Sequence, residues 1–136
     1  MSCFEPVVFN LYINGIVDDI EKTKTDPVIV GDVQVNSLLY ADDIILLSST
    51  QEGLQHSLNV LSNFYASWKL DVNQENSKAI VFSSNGKTYM NSFNLKGKHL
   101  ETVKSYCYLG VTIKYTGNIN ISSKLLMEKG RKAWFK

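Results

Sequence analysis

Hydrophobic positions recur along the chain at two different spacings, which predict two helices and a series of short strands. After Pro6, apolar side chains follow one another at helical spacing as far as Ile20, and proline suits the first turn of a helix. A second helix is predicted over about residues 50–68, because Ser49 as N-cap and Glu52 three positions later match a capping box. Its apolar face comprises Leu54, Leu58, Leu61, Tyr65 and Trp68.

Short apolar runs bounded by turn residues predict several strands. Residues 28–30 and 33–35 are separated by Gly31 and Asp32, a pair that favours a tight hairpin. Beyond the second helix, a short buried strand is predicted at residues 79–82 and a weaker hairpin over residues 93–100. A further strand is predicted over residues 106–113, which Gly110 interrupts with a bulge or a close backbone approach. A last helix is predicted to begin near Ser122.

Two adjacent carboxylates, Asp42 and Asp43, separate two apolar runs of strand-forming residues. The pattern predicts an antiparallel hairpin over residues 38–47 with the acids at its tip. Burying an unpaired carboxylate costs several kcal/mol or more, so these side chains are either exposed in a turn or hold a cation. A hard divalent ion such as Mg²⁺ takes oxygen ligands of this kind, and a pair of such ions supports nucleotidyl transfer. From the dipeptide alone, a solvated turn without any ligand is the alternative.

Charge is distributed unevenly between the two halves of the chain. Residues 1–77 carry three lysines and eleven acidic residues, a net charge of −8, whereas residues 78–136 carry eleven basic and two acidic residues, a net charge of +9. This asymmetry suggests a cation-binding half and a phosphate-binding half. A lysine-rich solvated surface is the alternative explanation for the second half.

Composition excludes several classes of protein. With 136 residues, 44% of them hydrophobic and 20% charged, the chain fits one globular domain with a modest core. No apolar run approaches the ~20 residues that span a bilayer, and no secretory signal is visible, so we expect an intracellular protein of the cytoplasm or nucleus without a membrane partner. Cys3 and Cys107 form no Cys-x-x-Cys motif, and His56 lies off the apolar face of the second helix without a metal-ligand partner.

Six stretches, in chain order, form a recognisable set of motifs: residues 6–14, 39–43, 52–55, 68–73, 78–83 and 108–111. The set resembles the palm of reverse transcriptases (RNA-directed DNA polymerases), in particular those of non-LTR (LINE-type) retrotransposons. Ala41 before the acids is typical of the non-LTR and group II intron branch. The resemblance implies an α/β (α+β) polymerase palm fragment, an antiparallel sheet with helices on one face. Residues 1–120 would form a partial palm that lacks the upstream fingers and the first catalytic strand, and residues 121–136 would begin the thumb or connection helix.

The resemblance also implies roles for the residues of the acidic hairpin. Asp42 corresponds to the family's metal-binding aspartate and Asp43 to its acidic partner. Both are therefore candidate catalytic residues and ligands of a two-metal Mg²⁺ site that is incomplete in this fragment. Tyr40 and Ala41 lie where the family's hairpin approaches the primer terminus and the incoming nucleotide.

Further candidate nucleic-acid or nucleotide contacts follow from the motifs near the middle and end of the chain. The family usually has a lysine at the position of Asn76, and Lys78 would replace it only if the turn shifts. Tyr108, Leu109 and Gly110 correspond to the strand turn that resembles the primer grip, where glycine would let the backbone approach nucleic acid. Plain core packing is a compatible role for Tyr108 and Leu109.

The activity implied for the parent protein is RNA-directed DNA synthesis in a retrotransposon, with an RNA template, a DNA primer and dNTP as partners. The chain departs from the family before Pro6, where the usual Gly and Ser-Pro are missing, and it lacks the aspartate of the upstream catalytic strand. We therefore expect the fragment alone to be inactive. The alternatives are a non-catalytic nucleic-acid-binding remnant and a decayed remnant of a retroelement. The sequence indicates no particular oligomeric state.

Overall fold

The structure is a computed structural model that describes residues 5–23, 26–40, 43–108, 110–117 and 119–121, with side chains described outside residues 5–13 and 119–121. The chain divides into two compact units. Of the described residues, those up to Val72 together with Asn94–Lys98 form the first unit, and the remainder form the second. The predicted helix near Ser122 lies outside the described residues.

Two helices form the centre of the first unit, as the apolar spacing predicts. Helix α1 spans Glu5–Thr23 and helix α2 spans Gln51–Ser67. Ile16 and Ile20 of α1 are fully buried. The helices pack closely, since a Cβ added at Gly15 of α1 would lie 3.5 Å from the ring of Phe64 in α2. The buried residues of α2 are Gly53, Ser57, Leu58, Leu61, Phe64 and Tyr65.

Two details of the second helix differ from the prediction. The N-cap is Thr50 rather than Ser49, because the Thr50 side chain accepts a hydrogen bond from the backbone N–H of Gly53. Trp68 was predicted on the buried face, but this prediction is wrong. Trp68 is the C-cap, where the helix ends, and 49% of its surface remains exposed. Phe64, which was not among the residues predicted on the apolar face, is buried in the core.

Two antiparallel hairpins follow α1 and confirm the predicted pattern. Strands β1 (Val28–Val30) and β2 (Val33–Val35) pair through Val30 and Val33 at the tip. Strands β3 (Ser37–Tyr40) and β4 (Asp43–Leu46) pair through Tyr40 and Asp43. Helix α2 packs against β4 and so covers one side of the β3–β4 hairpin.

A third predicted hairpin, formed by β5 (Phe93–Leu95) and β6 (Lys98–Leu100), places its turn in the first unit. The Gln55 side chain holds this turn by donating to the carbonyl of Asn94 and accepting from its N–H, both at 2.9 Å. Lys96 donates its ammonium to the Leu70 carbonyl at 3.0 Å, just beyond the C-terminus of α2. A cation there satisfies a carbonyl at the negative end of the helix dipole.

The second unit contains the three-stranded antiparallel sheet β7 (Ser105–Tyr108), β8 (Val111–Lys114) and β9 (Ile119–Ile121). The single interrupted strand predicted over residues 106–113 is therefore wrong. The chain reverses between Tyr108 and Val111, which pair across a turn that includes Gly110. The strand predicted at residues 79–82 is also absent among the described residues: Ala79 alone is buried and forms a single bridge with Thr102.

The fold class is α+β, as predicted, with two helices and several short antiparallel strand pairs. Pairing within the described residues is distributed over four small sheets rather than one continuous sheet. None of the helices in this part of the chain is long and apolar enough to cross a membrane.

Candidate active site

The acidic hairpin places Tyr40 and Asp43 opposite each other at the tip end of its ladder. Asp43 is exposed, and Tyr40 keeps 59% of its surface accessible. Only Ala41 and Asp42 separate the two strands, and both lie outside the described residues. The structure thus brings together two of the four predicted residues of this motif, at an open end that a ligand can reach.

Local sequence explains why the acid lies at the open end. Ile44, Ile45 and Leu46 continue the strand with half-buried side chains, whereas Asp43 begins it and is exposed. At the other end, the backbone N–H of Leu47 donates to the Asn36 carbonyl at 2.7 Å and closes the base of the hairpin. The apolar part of β4 is therefore covered and its charged end faces water, which avoids the cost of burying a carboxylate.

The donor chemistry of the hairpin suits a hard cation, but the described residues do not complete a metal site. Asp43 supplies an exposed carboxylate that makes no ion pair with any described residue. Across the described ranges, no group of three His, Cys, Asp or Glu side chains is arranged to hold a metal ion. Asp43 fits as one oxygen ligand of Mg²⁺, and Asp42 is the adjacent acid in the sequence.

Lys78, a predicted nucleotide contact in the second unit, is already paired. Its ammonium donates to Oε2 of Glu101 at 2.5 Å, and 24% of its side chain is exposed. This hydrogen bond and the adjacent positive charge hold the pKa of the Glu101 carboxyl below its usual value. A phosphate that approached Lys78 would therefore have to compete with Glu101.

Tyr108 and Gly110 lie together at the β7–β8 turn of the second unit, and Leu109 between them is outside the described residues. Tyr108 is half-buried, which agrees with a packing role. Gly110 has φ +80°, a left-handed conformation that glycine adopts without strain. A Cβ added there would meet no described atom within 4 Å, so the turn itself accounts for the glycine.

The sequence patterns did not identify Asp26 as a contributor to this region, because it lies between the predicted helix and the first predicted strand, outside every periodic segment. Asp26 has φ +33° and accepts hydrogen bonds from the segment that joins β4 to α2. The available signal was the Asp-Pro pair, since aspartate is among the few residues that tolerate positive φ.

Comparison with known protein families gives a match to reverse transcriptases. The family model described as "Reverse transcriptase (RNA-dependent DNA polymerase)" matches residues 5–113, which include α1, the acidic hairpin, α2 and the β7–β8 turn. No curated protein matches the chain. Since the family match covers well over half of the 136 residues, the chain belongs to the reverse transcriptase (RNA-dependent DNA polymerase) family.

Proposed function

We propose that this chain is part of the palm of a reverse transcriptase of the non-LTR (LINE-type) retrotransposons, whose whole protein performs RNA-directed DNA synthesis. Family membership supports the general activity. The observation that carries the assignment of the site is the antiparallel pairing of Tyr40 with Asp43 at an exposed hairpin tip. In this proposal residues 1–120 belong to the palm and residues 121–136 begin the thumb.

The proposed role of Asp42 and Asp43 is to provide oxygen ligands for Mg²⁺. When bound, two such ions activate the primer 3′-hydroxyl and stabilise the leaving oxygen during nucleotidyl transfer. Tyr40 and Ala41 would contact the primer terminus and the incoming dNTP. Because Asp42 and Asp43 supply only one side of a two-metal site, we propose that this chain alone does not extend a primer.

Exposed lysines support a role in binding the template and primer. Among the described residues after residue 77, four exposed lysines make no ion pair with any described residue: Lys87, Lys98, Lys104 and Lys114. Lysines that neutralise phosphates release condensed counterions, so affinity then falls linearly with the logarithm of salt concentration. This binding requires no particular base sequence.

Binding of the 136-residue chain to an RNA–DNA primer–template, measured at several salt concentrations, tests this role. Four phosphate contacts predict a slope of log affinity against log salt of about −3 to −4. Lys104→Gln and Lys114→Gln should each reduce the slope by about 1, whereas Lys22→Gln, at an exposed position on α1 beside Asp19, should leave it unchanged. A flat salt response, or no binding at low salt, would contradict the proposal.

A non-catalytic nucleic-acid-binding remnant is the second candidate function. The observation that favours it is the ion pair of Lys78 with Glu101, which engages the lysine predicted to contact the nucleotide. The two candidates differ in what they require of the acidic hairpin: the enzyme part needs a cation at Asp42 and Asp43, and the remnant does not.

A further inference from the structure

Asp26, in the connection between α1 and β1, receives an unusual concentration of hydrogen bonds from one short segment. Its backbone carbonyl accepts from the N–H of Ser49 at 2.9 Å, the hydroxyl of Ser48 at 3.1 Å and the hydroxyl of Ser49 at 3.2 Å. These donors belong to the segment that leaves β4 and enters α2. The end of β4 is thus attached to a loop that is more than 20 residues away in sequence.

The side chain of Asp26 extends the same contact into the helix. Its carboxylate accepts a hydrogen bond from the hydroxyl of Thr50, and that hydroxyl accepts one from the N–H of Gly53 at 3.0 Å. The negative charge therefore lies near the N-terminus of α2, where the helix dipole favours it. We call the set formed by Asp26, Ser48, Ser49, Thr50 and Gly53 the Asp26 node.

The Asp26 node is closely packed. A Cβ added at Gly53 would lie 2.9 Å from Cβ of Asp26 and closer still to the hydroxyl of Ser48, so the node has no room for a side chain there. Asp26 itself has φ +33°, a left-handed conformation that few residues other than glycine adopt readily. The node therefore depends on glycine at position 53 and on a residue that tolerates positive φ at position 26.

The node lies at the base of the acidic hairpin. Strand β4 ends at Leu46, Leu47 closes the ladder with Asn36, and Ser48 begins the node. A two-stranded hairpin is marginally stable by itself, so the direction in which its tip points depends on how its base is held. On the β4 side, the described residues that hold this base are those of the node and of α2.

We propose that Asp26 is a positioning residue for the acidic hairpin: it fixes the base of β4 against the start of α2 and thereby orients Asp43 at the tip. The effect on metal binding rests on the function proposed above, whereas the effect on the hairpin does not. Asp26 itself remains outside any ligand set, because it acts through Ser48, Ser49 and Thr50.

Three substitutions of Asp26 separate its contributions. Asp26→Asn keeps a side-chain oxygen acceptor and tolerates positive φ. Asp26→Gly tolerates the backbone conformation but removes the side-chain acceptor of Thr50, and Asp26→Ala removes that acceptor and disfavours the conformation. Asp71→Ala is the matched control, since Asp71 is an exposed aspartate that pairs with Lys96 at 3.1 Å beyond the other end of α2.

The experiment measures amide hydrogen exchange of residues 37–46 and the affinity of the hairpin for Mn²⁺, detected by paramagnetic broadening of Tyr40 and Asp43 resonances. For Asp26→Ala we expect faster exchange in the hairpin and unchanged exchange in the α2 core, residues 57–65. If the competent hairpin population falls to about a fifth, Mn²⁺ affinity falls about fivefold. Asp26→Asn should restore most of both losses, and Asp71→Ala should cause neither.

Unchanged hairpin exchange in Asp26→Ala would overturn the proposal, as would equal acceleration in the hairpin and the α2 core, because Asp26 would then act only on overall stability. If the alanine variant does not fold, Asp26→Gly takes its place, with a smaller acceleration of hairpin exchange expected because glycine keeps the backbone conformation and the carbonyl that accepts from Ser48 and Ser49. Faster hairpin exchange in a chain whose wild type binds no Mn²⁺ at Asp43 would support the positioning role and refute the metal site. The two failures are therefore distinguishable.

Discussion

Two helical glycines of the first unit have opposite surroundings, and this difference predicts opposite effects of the same substitution. A Cβ at Gly15 of α1 would make an ordinary contact with the Phe64 ring at 3.5 Å, whereas a Cβ at Gly53 of α2 would overlap the Asp26 node. Gly15→Ala should raise the free energy of unfolding by about 0.5–1 kcal/mol, because alanine loses less backbone entropy in a helix. Gly53→Ala should lower it by about 1–3 kcal/mol.

Denaturant unfolding of both glycine variants at neutral pH measures these changes. Each variant serves as the control for the other, since both exchange glycine for alanine inside a helix. If Gly53→Ala raised the free energy of unfolding instead, the Asp26 node would have space for a methyl group at this position, which would contradict the prediction.

Tyr65 makes stability depend on pH in the alkaline range. Burial raises the pKa of its phenol above the ordinary value of 10.0. The folded state therefore keeps the proton while the unfolded chain releases it above pH 10. The stabilising contribution is fully present below that pH and is lost as pH rises through the folded-state pKa.

Replacing Tyr65 by Phe tests this pH dependence without changing the shape of the ring. Above pH 10, we expect the free energy of unfolding to fall less steeply in Tyr65→Phe than in the wild type. At pH 8, titration of the phenol should contribute almost no difference in the free energy of unfolding between the two proteins. Parallel curves for the two proteins above pH 10 would contradict the role of Tyr65.

At the scale of elements, two side chains of α2 hold the β5–β6 turn: the Ser62 hydroxyl accepts from the N–H of Lys96 at 3.1 Å, and Gln55 bonds to Asn94. Gln55 uses both ends of its amide on the backbone of Asn94, in the manner of a neighbouring strand. Gln55→Ala should therefore cost about 1–2 kcal/mol of stability, the net value of two hydrogen bonds. It should also accelerate amide exchange at Asn94. Gln51→Ala, at the exposed start of the same helix, is the control and should leave exchange at Asn94 unchanged.

The helices and hairpins with strong local signals were predictable from sequence. Helix α2 begins and ends within one residue of the predicted limits because its apolar period is long and regular. Its N-cap was misplaced by one residue because Ser49 and Thr50 are both suitable caps. Asp26 accepts hydrogen bonds from the hydroxyls of both residues and lies far away in sequence, so the local sequence did not show which of the two caps the helix.

Strand predictions were less successful where burial depends on distant partners. The apolar run at residues 79–82 predicted a buried strand. In the structure, Ala79 forms a single bridge with Thr102, and Phe82 is 55% exposed. Gly110 was predicted to mark a bulge or a close backbone approach within one strand, whereas its positive φ places it in a hairpin turn. Periodicity identified apolar residues in both cases and could not specify which strand pairs with which.

The part of the candidate site that depends on a local pattern was predictable from the sequence. The alternation of apolar runs around two acids was sufficient to predict the hairpin, and Tyr40 pairs with Asp43 as a result. The contribution of Asp26 requires knowledge of a contact between the α1–β1 connection and the start of α2, for which the sequence contains no periodic signal.

At the scale of the whole molecule, the charge distribution is compatible with the proposed division of roles along the chain. The acidic residues concentrate in residues 1–77, with a net charge of −8, and the basic residues concentrate after them. The family match spans both parts. A reverse transcriptase needs carboxylates for metal ions and cations for the phosphate backbone, and the chain offers both kinds of residue.

The most direct test of this account is Mn²⁺ binding to the 136-residue chain, followed by paramagnetic broadening of backbone resonances. We expect broadening centred on Tyr40 and Asp43 that Asp42→Ala weakens at least severalfold, since one of two adjacent carboxylate ligands is removed. Asp32→Ala is the matched control, because Asp32 is the exposed acid at the tip of the neighbouring β1–β2 hairpin and should have no effect. Equal loss in both variants, or broadening that ignores the Tyr40–Asp43 tip, would contradict the account.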